Sequence, residues 1–271
     1  MNKLKKSGLL QSLFMVILLL CFSVPGFSID ATEAAKTSQN PVSTVISLPI
    51  QSNINFGSGD GIQWVNLLQP VIPQSMGSNL NWIHRIIIPV PIYQPAADKW
   101  GMGDVQYEAF ISPSAPGAVI WGVGPYINFP TATNKALGSG KWSAGPALLV
   151  LSMPGQWVVG GLVTQLWSFA GDSNRQDVST MGIQIFINYN IPDSGGWYIT
   201  SSPPGMTLNW NAPDREKWTI PLGAGIGKMT LMKKIGFDAK VQFYGFAATS
   251  TGGPTWGMQV QGKFLFPKSV K

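Results

Sequence analysis

Residues Met181 to Tyr189 carry the pattern that most restricts the fold: Met181, Ile183, Ile185, Ile187 and Tyr189 alternate with Gly182, Gln184, Phe186 and Asn188. Successive side chains of a strand point to opposite faces, so this spacing puts an oily stripe on one side and mostly small or amide groups on the other. The pattern recurs. Phe237, Ala239, Val241, Phe243 and Gly245 alternate with Asp238, Lys240, Gln242 and Tyr244. Trp256, Met258, Val260, Gly262, Phe264 and Phe266 alternate with Gly257, Gln259, Gln261, Lys263 and Leu265, and Asp104, Gln106 and Glu108 with Val105, Tyr107, Ala109 and Ile111. Segments of about ten residues with this dyad, separated by turn residues, are the signature of a transmembrane barrel strand.

Composition separates this reading from its rivals. Only 11% of the 271 residues are charged while 45% are hydrophobic, which argues against a disordered chain and a coiled coil. The 31 Gly and 21 Pro punctuate the chain too often for long helices. Past residue 30 no segment approaches the roughly 18 apolar residues a spanning helix needs, yet mean hydropathy is +0.14. A soluble sandwich would also alternate, but its polar face usually carries many Lys and Glu. Here that face is mostly Gln, Asn, Gly and Ser, suited to a narrow interior whose polar groups bond one another. Trp82, Trp121, Trp142, Trp157, Trp167, Trp197, Trp218 and Trp256 fall at predicted strand ends, where an aromatic girdle meets the lipid interface.

The amino terminus reads as a signal peptide over residues 1–28. Lys3, Lys5 and Lys6 precede an apolar stretch, Leu13 to Phe22, too short to span, and Gly26-Phe27-Ser28 offers small residues for cleavage after Ser28. A lipoprotein signal on Cys21 is disfavoured by Leu20 before it. Cleavage lowers the net charge from +6 to +3 and removes the only cysteine. A mildly basic chain without a Lys/Arg-clustered face gives nucleic acid no footing, and export without disulfides suits the bacterial outer membrane. Residues 29–44 read as a polar leader, 45–267 as the barrel and 268–271 as a short tail after the terminal aromatic Phe266.

The expected fold is all-β: one antiparallel barrel of about twelve strands. These are Ser47–Phe56, Ile62–Val71, Trp82–Ile92, Gly103–Ser112, Val119–Pro130, Trp142–Met153, Trp157–Phe169, Met181–Tyr189, Gly196–Ser202, Glu216–Lys228, Phe237–Thr249 and Trp256–Phe266. With the amino terminus periplasmic, the long connections Thr131–Lys141, Ala170–Thr180 and Pro203–Arg215 lie outside, and the short ones Ser114–Gly117 and Pro154–Gln156 inside. Pro89, Pro125, Pro146 and Pro221 fall within strands although proline cannot donate to a ladder, so bulges or displaced ends are expected there. The stretches Gln63–Val71 and Val158–Phe169 alternate poorly. The spacing W-x-x-G-P occurs twice, at Trp121–Pro125 and Trp142–Pro146, and reads as one local solution used in neighbouring strands.

Several blocks together resemble a known family: Gly103-Asp104 with Phe110-Ile-Ser-Pro113, Trp121-Gly-Val-Gly-Pro125, Phe129-Pro-Thr-Ala-Thr133, Leu137-Gly-Ser-Gly-Lys-Trp-Ser-Ala-Gly-Pro146, Trp167-Ser-Phe-Ala-Gly-Asp172 and Gly253-Pro-Thr-Trp-Gly257. The chain is similar, from about Val45 to Phe266, to the bacterial outer-membrane proteins grouped as the meta-pathway phenol-degradation family, whose members are labelled "transporter" or "neuromedin U". The resemblance implies an outer-membrane barrel passing small hydrophobic or aromatic compounds, and assigns no residue a chemical role.

Chemistry is narrowed by elimination. With His84 the only histidine and no cysteine after residue 28, a Cys/His nucleophile, a usual zinc site and a thiol redox centre are excluded. A Ser–His–acid site would have to use His84, which shares the lipid-facing side with Ile86, Ile88 and Val90. Asp104 and Glu108 lie on one strand face about 13 Å apart, beyond glycosidase spacing. Asp172, Asn174 and Asp177 lack EF-hand spacing and read as a solvated loop. Gly57–Gly61 and Gly138–Gly140 precede no helix and read as turns, so no phosphate cradle, cofactor, metal or catalytic residue is expected. The charges placed inward are Arg85, Asp104, Glu108, Asp238, Lys240 and Lys263, the candidate pore-lining set. The leading expectation is a passive or facilitated outer-membrane channel for small, hydrophobic solutes, its partners being lipid, solute and the outer-membrane assembly machinery. The alternatives are a surface-interaction barrel working through its long loops and a lipid-modifying enzyme resting on His84.

Overall fold

The computed structural model describes residues 31–266 except 60, 116, 233 and 234. The expected signal peptide and tail lie outside the described residues.

Among the described residues fifteen strands make one sheet: β1 (Ile46–Ser58), β2 (Gly61–Leu68), β3 (Val71–Met76), β4 (Leu80–Gln94), β5 (Lys99–Gly101), β6 (Val105–Pro113), β7 (Val119–Phe129), β8 (Lys141–Ser152), β9 (Trp157–Gly171), β10 (Ser179–Asn190), β11 (Trp197–Ser201), β12 (Met206–Asn209), β13 (Trp218–Met232), β14 (Ile235–Ala248) and β15 (Trp256–Phe266). β1 pairs antiparallel with β15 from Ile46↔Phe266 to Phe56↔Trp256, which closes the sheet. The result is a closed antiparallel barrel of 12 staves, because β2 with β3, and β11 with β12, are each one stave in two pieces, while β5 only extends the β4 edge. A closed ladder leaves no free edge.

The twelve expected segments each fall on a stave. Outward side chains form the apolar belt a lipid phase requires: Ile50, Ile86, Leu148, Val150, Val163, Ile185, Leu222, Ile226 and Phe243 are all exposed. Antiparallel staves then sort the tryptophans into two girdles. Trp82, Trp121, Trp157 and Trp197 lie at the end where the chain enters, and Trp142, Trp167, Trp218 and Trp256 at the opposite end. The connections divide as expected: residues 130–140, 172–178 and 210–217 cap the far end, and the near end carries short turns such as 153–156. The expected Pro203–Arg215 connection is shorter than its sequence suggests, since β12 returns residues 206–209 to the wall.

The prolines interrupt the ladder in place. The register shifts between Ile220 and Pro221, and between Val65 and Leu67, where Leu67 faces Pro89. The two W-x-x-G-P copies lie on adjacent antiparallel staves, so Pro125 stands opposite Pro146, with Gly124 facing Ala147 and Tyr126 facing Gly145. Neither proline can donate, and the glycine beside each lets its strand press on a carbonyl: an added Cβ on Gly124 would lie 1.8 Å from the Ala109 oxygen, and on Gly145 1.9 Å from the Gln165 oxygen.

The residues read as a polar leader hold a helix, α1 (Ala31–Gln39), inside the barrel. Ala, Glu and Lys favour helix, and Lys36 bonds Glu33 at 3.1 Å one turn away. Nine residues are too few to persist alone, so packing holds it: Ala35 is fully buried with Tyr198, Met229 and Leu265. The strap after it, residues 40–45, sends Val42 into a second apolar cluster with Phe110, Ile120, Leu149, Leu162 and Phe186. The near half of the β6–β10 wall is therefore apolar inside as well as outside. This is why Val158–Phe169 alternates poorly although it lies in the regular 15-residue strand β9.

Candidate functional site in the lumen

Six expected pore-lining residues all project inward, but they divide between different tasks. Arg85 ion-pairs with Glu108 at 3.1 Å on adjacent strands, where the two residues face one another, and it also donates to the Gln69 side chain. Gln69 reaches the lumen because the second stave breaks at Gln69-Pro70: the Gln69 amide leaves its own register to donate to the Pro49 carbonyl at 2.9 Å. Its side chain in turn donates to Gln51 at 3.4 Å. Gln51, Gln69, Arg85 and Gln184 border both lumen cavities, one of about 130 Å³ toward the near end and one of about 600 Å³ toward the far end. They form the belt between the two chambers.

Asp104 belongs to the far end and to its loop. Its carboxylate accepts from the Ala132 and Ser139 amides at 3.1 and 2.7 Å and from the Ser139 hydroxyl at 2.8 Å, folding residues 130–140 over the lumen. Arg175 from the next loop donates to the Ser139 carbonyl at 3.1 Å and the Gly138 carbonyl at 2.5 Å. Lys141 pairs with Asp177 at 2.9 Å, and the hydrogen bond from this ammonium, with one from Ser168, holds the Asp177 carboxyl below its ordinary value. The tie is fully present above the unperturbed carboxylate value of 3.8 and is lost as pH falls from there through the lowered folded-state value. Asp177→Asn is expected to raise proteolytic nicking of this loop at pH 7 and to have a smaller effect at pH 3; limited proteolysis at both values checks it.

Asp238, Lys240 and Lys263 form the near chamber with residues the sequence reading did not single out. β13 presents Gly223, Gly225 and Gly227 to the lumen, so its neighbours reach across it. Tyr198 donates to Asp238 at 2.6 Å directly over Gly227, where an added Cβ would lie 2.2 Å from the tyrosine ring. The ninth stave breaks at residues 202–205, and Ser202 bends inward to exchange bonds with Gln242 at 2.6 and 3.3 Å. Lys240 donates to the Ser202 hydroxyl at 2.8 Å. From the other side, Ser38 of α1 donates to Asp238 at 2.5 Å and accepts at its carbonyl from Lys263 at 2.5 Å, while Gln39 donates to Asn190 at 2.9 Å. A row of amides, Gln242 to Gln259 to Asn53, lines the wall beyond.

His84 is outside the barrel. Its ring stacks on Trp82 and its Nδ1 lies 2.7 Å from the Tyr107 hydroxyl, its one side-chain hydrogen bond among the described residues, so no Ser–His–acid arrangement is assembled on it. Asp172 and Asp177 serve different partners, the former accepting from the Asn174 amide at 2.9 Å. Among the described residues no cluster of His, Cys, Asp or Glu is placed to hold a metal.

No protein-family model matches the chain, and no curated protein matches its sequence. Solved structures do match its shape. The COG4313 outer membrane channel from Pseudomonas putida F1 superposes with a TM-score of 0.58 at 15% identity, over 90% of this chain and 99% of that one. The NanC porin superposes with a TM-score of 0.53 at 11% identity, over 81% of this chain and 99% of that one. At these identities the likeness is one of fold: the chain has the architecture of an outer-membrane barrel.

Proposed function

We propose that this barrel resides in the bacterial outer membrane and is a passive or facilitated channel for small, hydrophobic or aromatic solutes. The observation that carries the reading is the two-chambered lumen, with the Gln51, Gln69, Arg85 and Gln184 belt between its chambers. A barrel serving only as a scaffold has no need of such a space. The hydrophobic class is supported by Phe186, Leu162 and Val71 beside the near chamber, and by the resemblance to the phenol meta-pathway proteins. In this reading Arg85, Glu108, Lys240, Lys263, Asp238 and Asp104 line or brace the path, and mixed charges bias which solutes pass.

The test is uptake into liposomes holding refolded protein, comparing phenol with a sugar of similar size. Phenol is expected to enter faster. Arg85→Ala paired with Glu108→Gln, which avoids stranding a buried carboxylate, is expected to raise permeation severalfold by opening the belt, and Lys240→Ala to change it as well. A folded barrel that admits neither solute nor ions would overturn the channel and turn attention to the far-end loops as a binding surface.

A further inference from the structure

The near chamber has an electrostatic asymmetry that a simple passage for neutral compounds does not require. Three cations border it, Arg85, Lys240 and Lys263, against one bordering carboxylate, Asp238. Glu108 is committed to Arg85. Asp238 already accepts from two hydroxyls, Ser38 and Tyr198, and no lysine lies within ion-pair distance of it among the described residues. Among the described residues Lys240 bonds a serine hydroxyl alone and Lys263 a backbone carbonyl alone. An ammonium has three donors, so each retains donors for another acceptor.

The two lysines are close by construction. Lys240 faces Gln261 in the β14–β15 ladder and Asp238 faces Lys263, which makes Lys240 and Lys263 diagonal neighbours on the inward face. Across the chamber stand Leu162 of β9 and Phe186 of β10, the latter between Gln184 and Asn188 on the same inward face. The chamber volume is about 130 Å³, comparable with the roughly 150 Å³ engineered cavity that takes up a benzene ring. One wall thus offers two ammonium groups beside a single carboxylate, and the opposite wall offers Leu162 and Phe186 as a surface for a ring.

From this we infer that the near chamber is a binding site for a small aromatic carboxylate, its carboxylate held between Lys240 and Lys263 and its ring against Phe186 and Leu162. As a statement about what the channel carries it rests on the proposed function; as a binding site it is tested without any permeation measurement.

The probes are benzoate, neutral benzamide and ringless acetate, titrated at pH 7 and low salt into the detergent-solubilised protein by equilibrium dialysis. Benzoate is expected to bind at least tenfold more tightly than either of the others. Lys240→Met is expected to remove most of that margin over benzamide, and Lys263→Gln to act the same way; an unchanged heat-modifiable gel shift confirms that each variant remains a closed barrel. Equal binding of benzoate and benzamide to the unaltered protein would overturn the cationic site, and equal binding of benzoate and acetate would overturn the ring wall, neither result depending on whether solutes cross. Failure of permeation with benzoate binding intact would overturn only the channel.

Discussion

Deletion of residues 31–44 is expected to increase single-channel conductance and solute uptake severalfold while leaving a folded barrel. The wall does not depend on this segment, because β1 closes against β15 along its own length and every stave keeps both neighbours. What the deletion removes is the contents of the near end: Ala35 from between Tyr198, Met229 and Leu265, and Val42 from the Phe110 and Leu162 cluster. It also frees the Lys263 ammonium from the Ser38 carbonyl and takes one of the two hydroxyls from Asp238. Lumen charge near Lys240 then meets water directly, so the enlarged path is expected to favour anions. Planar-bilayer conductance with a reversal-potential measurement reads both effects. An unchanged conductance in a heat-modifiable, folded variant would mean that α1 does not limit the path.

The second large effect concerns the wall. Gly145→Ala and Gly124→Ala are each expected to cost about 3 kcal/mol or more and to prevent recovery of the compact gel species after refolding. The new methyl would meet a backbone oxygen at 1.9 or 1.8 Å, and a carbonyl in a ladder cannot rotate aside as a side chain does. Gly161→Ala on the neighbouring strand is the matched control, since its nearest contact would be an ordinary 3.6 Å, and it is expected to fall within about 0.5 kcal/mol of the unaltered protein. Urea midpoints in detergent distinguish the cases. Equal stability of all three variants would show that the paired Gly-Pro steps are not close-contact points.

Much of the barrel is legible in the sequence because one face meets lipid, and lipid favours an apolar residue at every second position. Ile183, Ile185 and Ile187 announce their strand for that reason. The broken staves are less legible. Gln69-Pro70 and Ser202–Gly205 do not alternate, and nothing local shows that the chain turns inward there and returns two residues or four later. Helix α1 was hidden for a different reason: its small and polar face, Ala35, Thr32 and Ser38, is buried in a polar lumen, so the usual apolar stripe is missing. The near-chamber partners had one readable signal. Gly223, Gly225 and Gly227 alternate on the inward face of β13, and a strand with no side chains on one face must be covered by residues from its neighbours, here Tyr198, Ser202, Asp238 and Gln242. The inward charges find their partners on neighbouring strands, on α1 and in the far-end loop, at sequence separations that alternation does not report.

The strap of residues 40–45 fixes α1 to the first stave, and this makes its docking a problem of local concentration. A short flexible connection holds a tethered ligand at an effective concentration on the order of mM. Weak individual bonds, such as Gln39 to Asn190, therefore suffice to keep the helix seated, and breaking one of them lowers occupancy without releasing the segment. A solute reaching for the Lys263 ammonium shares it with the Ser38 carbonyl, a partner always present in fixed ratio that never dilutes, while Gln39, Asn40 and Ser43 wall the chamber it enters.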